Sequence, residues 1–262
     1  MQKEEQLLEK RLIDLSRQAY NRNMITYSDF LNLNELNILH SIPKNSLYAN
    51  YVTFGGYDFA ERQMAAFLPD ALSLRGEKEA FSSAELFAQN LRVLRISPLN
   101  KKYAEGLSHR DYLGAILNLG IDRSVTGDIL VEDTGAVLFV TAQMEPFLME
   151  ELTRIRHTSV MVSSEEIQDF QYSPKYEEIK ATVASVRLDS LLSAAFSSSR
   201  SKLSGLIEGG KVFVNGRLIT TNAYQVKEDD RVSVRGMGKF QYKESLAVTK
   251  KKRIFILIHK YI

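Results

Sequence analysis

The residues best suited to chemistry lie late in the chain. Ser199-Arg200-Ser201-Lys202 places two hydroxyls and two cations at the start of a predicted helix. The first turn of a helix carries N–H groups without intrahelical acceptors and the positive end of the helix dipole, so this grouping favours an anion. Arg187, Lys211 and Arg217 fall at the ends of the neighbouring predicted elements. Together with the helix start they could line one face that tracks a chain of phosphates. Taken alone, each Lys or Arg reads as a solvated surface charge. Asn215-Gly216 is what a tight hairpin turn demands whatever the function. Asp189 reads as a helix cap or as the partner of a neighbouring arginine. The combination is far more specific than any member.

Catalytic patterns are weaker. His109-Arg110-Asp111 resembles a kinase catalytic loop, but six residues separate Asp111 from Asn118 where that pattern needs four. Ser108 reads instead as the cap of a helix whose first turn holds His109 and Asp111. Gly236-Met237-Gly238 is too short for a phosphate loop. His40, His109, His157 and His259 are scattered without metal-ligand spacing, so no metal site is expected. Glu61-Arg62 reads as an exposed ion pair rather than an acid–base pair. The 262 residues include no cysteine, which excludes disulfides, thiolate nucleophiles and Cys-based metal centres. No cofactor is expected and the chain reads as a non-enzyme.

Elements that could position these residues follow from periodicity. Residues 3–20 carry Leu7, Leu8, Leu12, Leu15 and Tyr20 on one helical face. A second helix is predicted from Ser28 through Phe30 and Leu31, another after Asn34 that ends before Pro43, and short helical pieces over 60–68 and 83–90. Gly55-Gly56 marks a turn. From residue 91 the pattern becomes strand (91–96), helix (108–119), strands 128–131 and 136–140, helix (143–156) and strand (158–162). That β-α-β-β-α-β order predicts a split βαβ, ferredoxin-like unit. Residues 163–180 are polar and read as a linker. In the last third, two short helices ending at Gly209-Gly210 precede two strand-like runs around Asn215-Gly216, the strongest short-range hairpin signal. The expected fold class is α+β. Its parts are a helical N-terminal domain (1–88), a ferredoxin-like, RRM-like middle domain (89–165), a linker (166–181), an αα-ββ module (182–243) and C-terminal strands (244–262).

The formal net charge of +2 hides a split. Residues 1–179 carry 18 Lys and Arg against 26 Asp and Glu, residues 180–243 carry 11 against 5, and residues 244–262 carry 5 against 1. An acidic body joined to a basic last third points to a polyanion partner for that third, and leaves the acidic N-terminal body for protein partners. The start is polar and the longest apolar run, Ile254 to Ile258, is far too short for a membrane span, so a cytoplasmic location without membrane contact is expected.

Residues 187–235 closely resemble the S-four RNA-binding domain, named after small-subunit ribosomal protein four. The shared words are Arg187-Leu188-Asp189, Ser199-Arg200-Ser201, Leu206-Ile207-Glu208-Gly209-Gly210, Val212-Phe213-Val214-Asn215-Gly216 and Asp230-Arg231-Val232. Asp229 stands where that family more often has glycine. The resemblance implies that Arg187, Ser199, Arg200, Ser201, Lys202, Lys211, Asn215 and Arg217 form the RNA-binding surface, reading structured RNA by shape and backbone. Gly55-Gly56-Tyr57, Glu61-Arg62, the stretch from Ser108 to Ala115, Gly127-Asp128-Ile129 and the ending from Thr249 to Arg253 with Tyr261 resemble the YlmH family of bacterial RNA-binding proteins. That resemblance implies rRNA and tRNA as ligands, association with the large ribosomal subunit as a monomer, and rescue or quality control of stalled translation. Two other readings stand beside it: an RNA-modifying enzyme, pseudouridine synthase-like or methyltransferase-like, and an interaction adaptor linked to cell division.

Overall fold

A computed structural model describes residues 2–69 and 82–262. The chain divides into two compact units, residues up to Tyr172 and residues Ser173–Ile262. The first unit opens with α1 (Gln2–Arg22), β1 (Thr26–Tyr27), α2 (Leu33–Ser41), β2 (Asn50–Phe54), β3 (Met64–Leu68) and α3 (Ser83–Phe87). It continues with β4 (Leu91–Pro98), α4 (His109–Asn118), β5 (Thr126–Glu132), β6 (Gly135–Thr141), α5 (Glu145–Glu151), β7 (Arg154–Ile155) and β8 (Thr158–Glu165). The first three strands form a sheet in the order β1-β3-β2, and the rest form an antiparallel sheet in the order β5-β6-β4-β8-β7.

Strand β6 explains how this unit holds together. Its run Ala136-Val137-Leu138-Phe139-Val140 is buried on both faces, as continuous apolar strands are. Ala136, Leu138 and Val140 join Tyr112, Ile116 and Leu148 in one cluster. Val137 and Phe139 join Phe30, Tyr57 and Phe87 in another. The glycine words of the sequence serve this second cluster. A Cβ on Gly56, at φ +102, would lie 2.2 Å from the Phe139 ring, and one on Gly127 would lie 2.7 Å from Phe30.

A polar network seals the same junction. Asp128 accepts hydrogen bonds from the Tyr57 hydroxyl (2.9 Å), the Glu61 N–H (2.8 Å) and the Arg62 N–H (3.2 Å). The Arg62 guanidinium donates to the carbonyls of Thr126, Phe30 and Arg123. Burial and the Asp128 carboxylate push the Tyr57 phenol far above its ordinary value. Burial and the neighbouring Arg62 charge lower Arg123 to about 10. Arg62 is therefore not part of an exposed ion pair with Glu61. It is turned inward, where it satisfies carbonyls that a loop would otherwise leave bare.

Three local expectations change. Residues 28–31 are extended rather than helical. The Ser28 N–H donates to the Ala65 carbonyl and the Leu31 N–H to the Gln63 carbonyl, so this stretch lies along β3. Helix α2 starts only after Asn32, whose side chain accepts from Asn34 and Glu35 while Glu35 reaches back to the Asn32 N–H. The stretch 60–68 holds a strand because its apolar residues serve two cores. Met64 and Ala66 face one cluster, and Ala65 and Phe67 face another. A helix could not divide neighbours that way. The helix expected over 143–156 is α5 alone, followed by the β7–β8 hairpin with Arg156 at φ 53.

The second unit consists of β9 (Tyr176–Val183), α6 (Leu188–Phe196), α7 (Arg200–Glu208), β10 (Val212–Val214), β11 (Arg217–Leu218), β12 (Arg231–Val234), β13 (Gly238–Val248) and β14 (Ile254–Tyr261). They form one six-stranded sheet in the order β11-β10-β12-β13-β14-β9. Leu188, Leu191, Leu192, Leu203 and Ile207 of the helices pack on Val212, Val214, Val232, Phe240 and Ile256 of the sheet. The residues read as a linker thus include an edge strand. In β9, Ile179, Ala181 and Val183 turn to the core while Glu178, Lys180 and Thr182 stay outside, an alternation hidden by the charges.

Replacing Asp128 leaves three donors without their acceptor and takes a carboxylate away from the neighbourhood of Arg62 and Arg123. Asp128→Ala is expected to cost about 2–4 kcal/mol of stability, measured by urea unfolding.

Candidate nucleic-acid interface

The residues that the sequence singles out for an interface lie on α6, α7 and the β10–β11 hairpin. Ser197 ends α6 in the left-handed region at φ 47, and the Ser193 hydroxyl donates to the Ser198 carbonyl at 2.9 Å, which fixes the short connection to α7. Ser199 occupies the N-cap of α7 with φ −65 and ψ 143 but makes no side-chain cap hydrogen bond. Its hydroxyl lies 3.3 Å from that of Ser201. The first-turn N–H groups and two hydroxyls therefore sit together at an exposed helix start, with the exposed Lys202 beside them. Leu203 and Ile207 anchor the opposite side of the helix in the core.

The far end of α7 belongs to a second group. The Asn222 side-chain amide donates to Glu208 Oε1 at 2.7 Å, and the Asn222 backbone carbonyl accepts from the Asp189 N–H at 3.3 Å. The start of α6 and the end of α7 are thereby held together. Arg187 lies there, forked onto Asp189 by two hydrogen bonds of 3.1 Å each. Asp189 is thus the partner of an arginine. Lys211 follows the α7 terminus directly, with its N–H on the Leu206 carbonyl. Arg217 pairs with Val214 on the hairpin and is exposed. A nine-residue helix is about 13 Å long, so Ser199, Ser201 and Lys202 sit at one end of a strip and Arg187 and Lys211 at the other. Arg200 is the first residue of α7.

Asn215 has a different task from its neighbours. Asn215 and Gly216 take φ 48 and 77, the two positive values of a type I′ turn. The Asn215 amide donates to Asp230 Oδ1 at 2.7 Å, and its oxygen accepts from the Arg231 N–H at 2.9 Å. Its side chain is thus engaged in fixing the hairpin to β12. Asp229 adopts φ 64, the conformation that makes glycine common there, and is held by Lys243 and by its N–H on the Tyr242 carbonyl at 2.7 Å.

The histidine–arginine–aspartate stretch of the first unit is a helix cap. Asp111 Oδ2 accepts from both the N–H and the hydroxyl of Ser108, at 2.8 and 2.7 Å, and these bonds hold its carboxyl below the usual range. Burial and the Arg123 charge lower the His109 imidazole. Among the described residues, no group of three or more His, Asp or Glu is placed to hold a metal ion, and no helix is long and apolar enough to cross a membrane.

A pair of short helices packed on a hairpin with a cation-bearing helix start defines the class, and residues 186–232 match the family described as "S4 domain". Residues 89–169 match the family described as "Putative RNA-binding domain in YlmH". Over 228 residues the chain is 31% identical to "Ribosome-associated protein quality control protein P2" of Bacillus subtilis (strain 168), covering 86% of this chain and 82% of that protein. The chain belongs to the YlmH family. Among solved structures, "Cell division protein ylmH from Streptococcus pneumoniae" is similar at 18% identity and a TM-score of 0.48, covering 63% of this chain and 93% of that one.

The match over 89–169 marks a region that the charge pattern had placed in the acidic body. Within it, Lys101 and Lys102 are exposed beside Tyr103, which is 73% exposed with the Lys102 ammonium 5.8 Å from its ring.

Asn215→Ala removes two hydrogen bonds and puts a poorer residue at positive φ. It is expected to lower the unfolding free energy by about 1–3 kcal/mol in denaturant titrations.

Proposed function

We propose that this protein binds structured RNA through the strip formed by α6, α7 and the β10–β11 hairpin, that it does so on the large ribosomal subunit or its tRNA, and that it serves rescue or quality control of stalled translation. The observation that carries the reading is the exposed start of α7. There, Ser199 and Ser201 leave uncapped N–H groups beside Lys202, and Arg187, Lys211 and Arg217 continue the strip. Such a surface suits the backbone of an A-form helix, which is read by shape and phosphate contact. The name of the Bacillus subtilis relative supports the ribosomal setting and, with it, a cytoplasmic location.

In this reading the work is binding rather than catalysis. Both matching families are described by a domain that binds RNA or by the S4 fold, and Asp111, the one residue with a catalytic resemblance, is engaged with Ser108. The middle of the chain acts as a ferredoxin-like, RRM-like domain. Its support is the antiparallel order β5-β6-β4-β8 with α4 and α5 sharing one cluster with the sheet. The N-terminal helices form a further part available to protein partners, and the protein acts as a monomer.

Gel-shift or filter-binding titrations with total tRNA and with ribosomes test the reading. The double variant Arg200→Ala with Lys202→Ala is expected to weaken binding about tenfold or more, and the logarithm of affinity is expected to fall linearly with the logarithm of salt concentration. The variant should also reduce that slope by about two. Unchanged binding by the variant would overturn the reading.

A further inference from the structure

The sheet of the second unit has a face that the helices do not cover. The S4 match ends at residue 232, yet β13, β14 and β9 continue the sheet beyond it. On β14, Ile254, Ile256 and Ile258 turn to the helical core. The alternate residues Phe255, Leu257, His259 and Tyr261 therefore line the opposite face. A sheet face left to solvent is ordinarily polar, so four apolar or aromatic residues in succession there are a departure.

Aromatic rings meet at one end of this face. Strand register pairs Tyr261 with Tyr176, and His259 with Glu178 and Gln241. The His259 ring stacks on Tyr176 with centroids 4.0 Å apart and planes 12° from parallel. Tyr261 stands edge-on to Tyr176 at 6.5 Å, with its hydroxyl on Gln241 Oε1 at 3.0 Å. Tyr176 itself remains 44% exposed with His259 stacked on its ring. The face carries both charges: Glu178, between Tyr176 and Lys180 on the strand, lies 3.7 Å from His259 Nε2, and Lys180 is exposed beside Leu257. At the other end of β14, about 25 Å away, the exposed turn Lys250-Lys251-Lys252-Arg253 adds four cations.

We propose that this open face is a second RNA surface, which takes single-stranded RNA by stacking an unpaired base on Tyr176 and guiding the adjoining phosphates along Lys180 toward the basic turn. The proposal rests on the reading of the chain as an RNA-binding protein but assigns a different surface and a different form of RNA. A sheet face with a ring already stacked on a neighbour offers what an unpaired base needs, a held π-face at little ordering cost, with Lys180 and the basic turn for the backbone. Duplex RNA, whose bases are stacked on each other, cannot use it.

The test is fluorescence anisotropy of the full chain with a labelled single-stranded oligouridine and, separately, with a hairpin RNA lacking single-stranded ends. Tyr176→Ala is expected to weaken oligouridine binding about fivefold or more, Tyr176→Phe to restore it, and hairpin binding to stay within twofold of wild type. Tyr176 is an exposed residue on an edge strand. Equal melting temperatures of the two variants would show that the loss is not unfolding. Absent oligouridine binding, or binding that Tyr176→Ala leaves unchanged, would overturn the proposal. So would a Tyr176→Ala protein that keeps oligouridine binding but loses co-sedimentation with ribosomes, since the face would then take a protein. Loss of hairpin binding in the Arg200→Ala, Lys202→Ala variant is read in the same assay, so failure of the strip and failure of the open face are told apart.

Discussion

One buried carboxylate holds the C-terminal unit in register. Asp230 accepts from the Asn215 amide at the hairpin tip and from the Lys227 N–H, and its carbonyl accepts from the Tyr242 N–H of β13. Three separate segments thus converge on a residue that is only 9% exposed. These hydrogen bonds engage both carboxylate oxygens and so offset the cost of burying them. The strip on the helices and the open sheet face both depend on it, because each is built on β12 and its neighbours. A slip of one residue in that pairing would turn every side chain of a strand to the wrong face.

The N-terminal unit uses the same device with different residues. Asp128 accepts from the turn at Glu61 and Arg62, and the Arg62 guanidinium closes three carbonyls from two other segments. These polar knots sit beside cores that exclude bulk, as Gly56 and Gly127 show against Phe139 and Phe30. Apolar burial supplies the drive to collapse, while the directed hydrogen bonds select one arrangement among the collapsed ones. Family words such as Gly55-Gly56-Tyr57, Glu61-Arg62 and Gly127-Asp128 are accounted for by this packing.

What was legible in the sequence followed from local physics. The Asn215-Gly216 turn, the Gly209-Gly210 stop and the apolar stripe of α6 and α7 were each set by neighbours within a few residues. The strand β6 was legible because it is apolar throughout. Elements fixed by distant partners were not. Met64 to Phe67 looks helical until two cores claim alternate residues, and Tyr176 to Lys180 looks like a linker until β14 arrives beside it. The same holds for the site. The strip proposed for RNA lies in one contiguous segment, with Ser199 and Lys202 at its clearest point. The engagement of Asn215 by Asp230, and the aromatic group of Tyr176, His259 and Tyr261, join residues far apart in the chain. Net charge carried no sign of the matched region at 89–169, which itself holds 8 Lys and Arg against 12 Asp and Glu; its glycine and helix-cap words did.

The central claim is that RNA contacts the helix–hairpin strip of the second unit. Ultraviolet crosslinking in cells, followed by mass spectrometry of the RNA-bearing peptides, tests it most directly. Adducts are expected on peptides spanning residues 199–217, carrying fragments of ribosomal RNA or tRNA. Adducts confined to residues 2–69, or none on the C-terminal unit, would contradict the account.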